Sequence, residues 1–203
     1  MMETEEKSLR LLCLGDSYTI GEGVPAHERF PEQAVALLKQ RGIIFSPPHI
    51  VATTGWTTDE LLRALETAVL DPPYDVVTLL IGVNNQYRGR SLNEYRQQFK
   101  ELLHKAIGFA GGSARRVIVL SIPDWGATPY AAGRNRVQIA GEIDAFNQVN
   151  AEEALAAGAN YLHITPYSRL YAEWVTGDGL HPDGRQYHLW AADLADHIER
   201  IIG

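Results

Sequence analysis

Val76-Val77-Thr78-Leu79-Leu80-Ile81, the run VVTLLI, is apolar at five of six positions. A strand with one wet face alternates apolar and polar residues. A run apolar at both parities belongs to a strand covered on both faces, as in a parallel sheet between helices. Related runs occur at Leu9–Leu14, Ile50–Ala52, Val117–Ser121 and Tyr161–Ile164.

Helical patterns fill the intervals. Thr57 with Glu60, and Ser91 with Glu94, fit a capping box. After Ser91, Leu92, Tyr95, Phe99, Leu102, Leu103 and Ala106 recur at helical spacing. A helix is expected from about Arg136 to Ala157, stopped by Gly158. Asp183 caps a last helix, with Gln186 three residues on and Tyr187, Trp190, Leu194, Ile198 and Ile201 facing inward. This βαβα alternation predicts a three-layer α/β/α domain around a parallel sheet of about five strands. The 203 residues suit one domain over 1–203, with 1–7 as a flexible tail. Gly82–Arg90 and Pro123–Gly133 read as long loops at the C-terminal ends of strands, where open α/β sheets place ligands.

The net charge of -7 argues against a nucleic-acid partner, which needs clustered Lys and Arg. The lone cysteine, Cys13, rules out an internal disulfide and reads as a buried, inert thiol. No Cys/His zinc spacing occurs, and a metal site from Asp178, His181, Asp183 and His188 is disfavoured because capping already explains Asp183. The acidic start MMETEEK lacks the apolar core of a signal peptide, and no stretch approaches the ~20 apolar residues of a membrane span. A cytoplasmic location is expected.

The first strand opens into CLGDSYTIGEG, Cys13 to Gly23. A dinucleotide loop needs its first glycine in the turn right after the strand and a helix starting within the motif. Gly21 comes several residues late, Pro25 interrupts, and Glu22 would set a negative charge beside a pyrophosphate. No cofactor is therefore expected. Gly15-Asp16-Ser17 instead places a hydroxyl at the strand tip.

A serine hydroxyl needs a base, a group that orients the base, and donors for the oxyanion. Gly55 lets a substrate approach its backbone N–H, and Asn84 carries an amide donor. Asp178 and His181, three residues apart in TGDGLHPDG, suit a carboxylate holding the imidazole Nδ1 while Nε2 takes the proton of Ser17. Taken singly, each has a plainer reading. Ser17 fits a turn, Gly55 a loop, Asn84-Asn85 an ordinary turn pair, and Asp178 with His181 local loop bonding. Their joint occurrence, each at a strand end or in the last loop, is what singles them out.

These four blocks, Gly15-Asp16-Ser17, Gly55, Gly82-x-Asn84 and Asp178-x-x-His181, resemble the SGNH hydrolases, also called GDSL esterases/lipases. The resemblance spans nearly the whole chain. It implies a flavodoxin-like sandwich with strand order 2-1-3-4-5. It also implies Ser17 as nucleophile, His181 as base supported by Asp178, and an oxyanion hole from Ser17 N–H, Gly55 N–H and Asn84. Many members carry Asp where this chain has Asn85. The implied activity is hydrolysis of a small-molecule carboxylic ester. A short-acyl ester is preferred because no amphipathic lid is visible. Thioesterase, lysophospholipase and acyltransferase activities are alternatives, and a non-catalytic flavodoxin-like binding module is a remote one. Trp56, Tyr87 and Trp125, with Arg88 and Tyr130 beside them, are candidates to line the substrate pocket.

Overall fold

The computed structural model describes residues 8–203, so the tail expected at 1–7 lies outside the described residues. The strands are β1 (Leu11–Gly15), β2 (His49–Ala52), β3 (Val76–Leu80), β4 (Val117–Leu120) and β5 (Asn160–Leu162). They form one parallel sheet in the order β2-β1-β3-β4-β5. Every residue of β1, β3 and β4 is buried, as the continuous apolar runs require, while the edge strands β2 and β5 are partly exposed. Cys13 sits in register between Ile50 and Thr78, and burial pushes its thiol up to about 12. It is inert at neutral pH.

The helices are α1 (Ser17–Ile20), α2 (Phe30–Gln40), α3 (Thr58–Thr67), α4 (Val83–Tyr87), α5 (Leu92–Phe109), α6 (Arg136–Ala157), α7 (Thr165–Leu170) and α8 (Gly184–Ile202). On one face α2 packs against α8, and on the other α3, α5 and α6 pack in series. The stripe on α8 is buried from Tyr187 through Trp190 and Leu194 to Ile198. Helix starts follow local chemistry. The Glu60 carboxylate accepts the Thr57 N–H at 2.8 Å, Asn135 accepts from Gln138 N–H at 3.1 Å, and Asp183 accepts from Arg185 and Gln186 N–H. Gly158 ends α6 at a φ of 75°.

Four expectations change. The stretch Gly82–Arg90 holds α4 rather than a plain loop. Pro123–Gly133 contains two 3-10 turns, Trp125–Ala127 and Pro129–Ala131, pinned by Asp124. Its Oδ1 accepts the Gly126 N–H and its Oδ2 pairs with Arg169 at 2.9 Å. The last strand ends at Leu162 instead of Ile164, because the Ile164 N–H leaves the ladder for Ser121 Oγ at 2.8 Å. At Ser91 only half the capping box forms. Its Oγ accepts the Glu94 N–H, but the Glu94 carboxylate turns to Arg90.

Candidate active site

The C-terminal ends of β1, β2 and β3 deliver three short segments to one place. Asp16 caps α1 by accepting the Tyr18 N–H at 3.0 Å, which sets Ser17 at the first helical position with 4% exposure. Burial pushes the Asp16 carboxyl up to about 7, against the pull of that hydrogen bond. Gly55 follows β2 at a φ of 87°, a conformation that favours glycine. Gly82 follows β3 at a φ of 128°, and a Cβ there would lie 2.5 Å from the Tyr95 hydroxyl. The tight turn places Asn84 in α4 directly beyond the strand.

The last loop supplies the rest. Thr176 N–H donates to the His181 carbonyl at 2.7 Å, closing the segment between them. Inside it, Asp178 Oδ1 accepts from Thr176 Oγ1 and from the N–H groups of Leu180 and His181. Asp178 Oδ2 lies 2.6 Å from His181 Nδ1. Burial raises the Asp178 carboxyl, but these hydrogen bonds, the His181 ring foremost, outweigh it and hold the group at about 2. An ionised carboxylate only accepts, so Nδ1 carries a proton, and in the neutral ring Nε2 is then the atom with the lone pair. Nε2 stands 2.9 Å from Ser17 Oγ, across 164 residues of chain. A hydroxyl held by an oriented, neutral imidazole can be deprotonated as it attacks.

A cavity of about 160 Å³ opens beside this contact. Ser17, Gly55, Asn84 and His181 all reach it. Among the described residues, the N–H groups of Ser17 and Gly55 donate to no protein acceptor. Asn84 Nδ2 spends one N–H on the Trp56 carbonyl at 2.9 Å and keeps a second. Three donors thus border the same space.

The remaining wall is mainly apolar. Tyr18, Val83, Tyr87, Trp125, Tyr130 and Leu180 line it. Trp125 is held by Gln86, whose Oε1 accepts its indole N–H at 2.7 Å. The Tyr87 and Tyr130 hydroxyls meet at 3.3 Å, so the two rings bridge α4 to the second 3-10 turn. Trp56 stands outside the wall, and its part is the backbone carbonyl that steadies Asn84. Thr54, Val83 and Leu180 carry no chemical signal in the sequence, and their place at the cavity comes from the fold alone. Trp174 packs behind the loop, stacked on Tyr171 and covered by Arg185. Among the described residues no group of His, Cys, Asp and Glu is arranged to hold a metal ion, and no helix is long and apolar enough to cross a membrane.

The fold recurs in solved structures. A lipase/acylhydrolase from Enterococcus faecalis superposes with a TM-score of 0.76 at 20% identity, covering 95% of this chain and 96% of its own. An acetylxylan esterase from Geobacillus stearothermophilus gives 0.71 at 17% identity, covering 94% of each chain. A psychrotrophic esterase from Pseudoalteromonas sp. gives 0.70 at 16% identity, covering 94% of this chain and 97% of its own. No curated protein sequence matches the chain. At these identities the likeness speaks for the sandwich and its strand order. The family description that matches residues 13–189 is GDSL-like lipase/acylhydrolase, and that span takes in every residue around the cavity. The chain therefore belongs to the GDSL-like lipase/acylhydrolase family, the SGNH hydrolases, which act on carboxylic esters.

Proposed function

We propose that this chain is a serine esterase that cleaves short-acyl esters through an acyl-enzyme. The observation that carries the reading is the chain of contacts from Asp178 through His181 to Ser17, ending at the mouth of an apolar cavity. His181 Nε2 takes the Ser17 proton as Oγ bonds to the ester carbonyl carbon. The carbonyl oxygen becomes an oxyanion held by the N–H groups of Ser17 and Gly55 and the free Nδ2–H of Asn84. Collapse of this intermediate breaks the ester C–O bond, and His181 returns the proton to the leaving alcohol. Water then attacks the acyl-serine with the same base, releasing the acid and restoring Ser17. Asp178 fixes the tautomer and stabilises the imidazolium formed on the way.

Cavity size favours a small acyl group. About 160 Å³ is close to the ~150 Å³ of a cavity that holds benzene, a volume that suits an acetyl to butyryl group. A structural neighbour acts on acetylxylan, which is consistent with an acetylated sugar as the substrate. No cofactor enters these steps, and a cytoplasmic location accords with the lone buried thiol.

Two measurements test this. A fluorophosphonate probe should label the wild-type protein and fail on Ser17→Ala. A series of p-nitrophenyl esters from C2 to C12 should show kcat/KM greatest at C2 to C4. Labelling that survives Ser17→Ala overturns the nucleophile. A maximum at C8 or longer overturns the short-acyl class.

A further inference from the structure

The guanidinium of Arg88 links parts of the site that no sequence motif joins. Arg88 follows directly on α4, and its own N–H donates to the Asn84 carbonyl at 3.0 Å. Its Nη2 crosses to the loop after β2 and donates to the Gly55 carbonyl at 2.6 Å. Its Nη1 lies 3.3 Å from each Glu60 oxygen. Glu60 in turn accepts the Thr57 N–H and hydroxyl at the start of α3. One residue therefore touches the main chain of both Asn84 and Gly55.

The need for such a link follows from the glycine. Gly55 has φ at 87°, and residues 54 and 55 form a turn without regular ladder bonds. A glycine carries the greatest backbone freedom of any residue, so nothing in its own chemistry keeps its peptides in one orientation. An oxyanion donor is useful only when it is already aimed, because reorganisation during reaction cancels its advantage. Binding the Gly55 carbonyl fixes the 55–56 peptide, which limits how far the adjoining 54–55 peptide, the one that carries the Gly55 N–H, can turn. Asn84 adds the parallel bond from its side chain to the Trp56 carbonyl. The β2–α3 loop and α4 are thereby tied by two bonds, one from each end of a single helical turn.

The same contacts contribute little to stability. The Arg88 side chain is 41% exposed, so solvent screens its 3.3 Å ion pair with Glu60. Resting on the esterase reading above, we propose that Arg88 is a positioning residue of this site. It holds the Gly55 peptide and α4 in one arrangement, so that the Gly55 N–H and the Asn84 amide face the same oxygen. It touches no reacting atom.

The experiment compares Arg88→Met, Arg88→Ala and Arg88→Lys with wild type on p-nitrophenyl acetate, with Ser17→Ala as control. The expected result is a fall in kcat of roughly 10–10²-fold for Arg88→Met, the range for a small misplacement at a reacting centre. KM should stay within about 3-fold and the midpoint of urea unfolding should be unchanged, since the lost interaction matters only in the transition state. Arg88→Lys, which keeps the charge but only one donor nitrogen, should fall between wild type and Arg88→Met. Added guanidinium ion should raise kcat of Arg88→Ala and leave wild type unaffected.

A wild-type kcat in Arg88→Met overturns the proposal, as does a fall in kcat matched by a loss of folded protein. A rise in KM alone overturns it too, by making Arg88 a binding group. Undiminished hydrolysis by Ser17→Ala is a separate outcome. It removes the esterase reading itself rather than the role of Arg88 within it.

Discussion

Asn85 reaches from α4 to the first turn of α3, where its Oδ1 accepts the Thr58 N–H at 3.0 Å and its Nδ2 donates to Thr58 Oγ1 at 2.7 Å. The Thr58 hydroxyl passes its own proton on to Gln98. The amide thus meets both an N–H and an oxygen acceptor, which a carboxylate cannot do without turning the Gln98 amide. Asn85→Ala leaves the buried Thr58 N–H unpaired and removes one of the two bonds of its hydroxyl, and should lower stability by about 1–3 kcal/mol. Asn85→Asp keeps the acceptor for the N–H and should lose less. Urea unfolding of the two variants against wild type gives the order.

Asn84 bears on chemistry more than on stability. Replacing it with Ala removes the bond to the Trp56 carbonyl and, on the proposed mechanism, one oxyanion donor. The expected effect is a drop of ~10²–10³ in kcat for p-nitrophenyl acetate, with the fold retained by circular dichroism. A drop below tenfold would leave the two backbone N–H groups as sufficient donors.

Two carboxylates of the site should move stability in opposite directions with pH. Asp178 is held at about 2 against an ordinary value of 3.8. A depressed carboxyl contributes stability above 3.8 that is lost as pH falls toward about 2. The stability gap between wild type and Asp178→Asn should be flat at neutral pH and close across that window. Asp16 is raised to about 7 by burial, so the folded state keeps a proton that the unfolded chain has shed. Its effect is a loss of stability as pH rises from 3.8 to about 7. Asp16→Asn retains the acceptor for Tyr18 N–H and should gain on wild type through that range. Urea unfolding at a series of pH values resolves both slopes.

Tyr130 and Tyr87 close the far side of the cavity through their hydroxyl contact. Tyr130→Ala should shift the preferred acyl group to longer chains, raising kcat/KM for the C6 and C8 esters relative to C2. One extra methylene accommodated is worth ~1–3 kcal/mol of discrimination. Trp125→Ala should do the same but also strand Gln86 Oε1, at a cost in stability of about 1–3 kcal/mol. The acyl series applied to both variants measures the shift.

The inner strands were legible because parallel strands buried on both faces leave an unbroken apolar run, as in Val76–Leu80. The helix starts at Thr58, Arg136 and Gly184 were legible because capping is local chemistry. Helix α4 was not. Its five residues carry no amphipathic period and are held by Asn85 bonded to Thr58 and Gln86 bonded to Trp125. Those bonds join residues 27 and 39 positions apart, which no local pattern encodes. The four blocks bring Ser17, Gly55, Asn84 and His181 to one cavity, since each lies within a few residues of a strand end or a helix start. Trp56 shows the limit of reading by proximity, because adjacency to Gly55 says nothing of which way an indole turns.

The contact between Ser17 and His181 has a consequence in time. Ser17 lies just beyond the first strand of the chain and His181 three residues before the last helix. On the proposed chemistry, a chain folded only around β1, β2 and β3 holds the serine and the three oxyanion donors but no base. Such an intermediate is hydrolytically silent. Recovery of ester turnover during refolding is therefore a clock for the docking of α8 onto α2, the step that brings the two ends of the chain together.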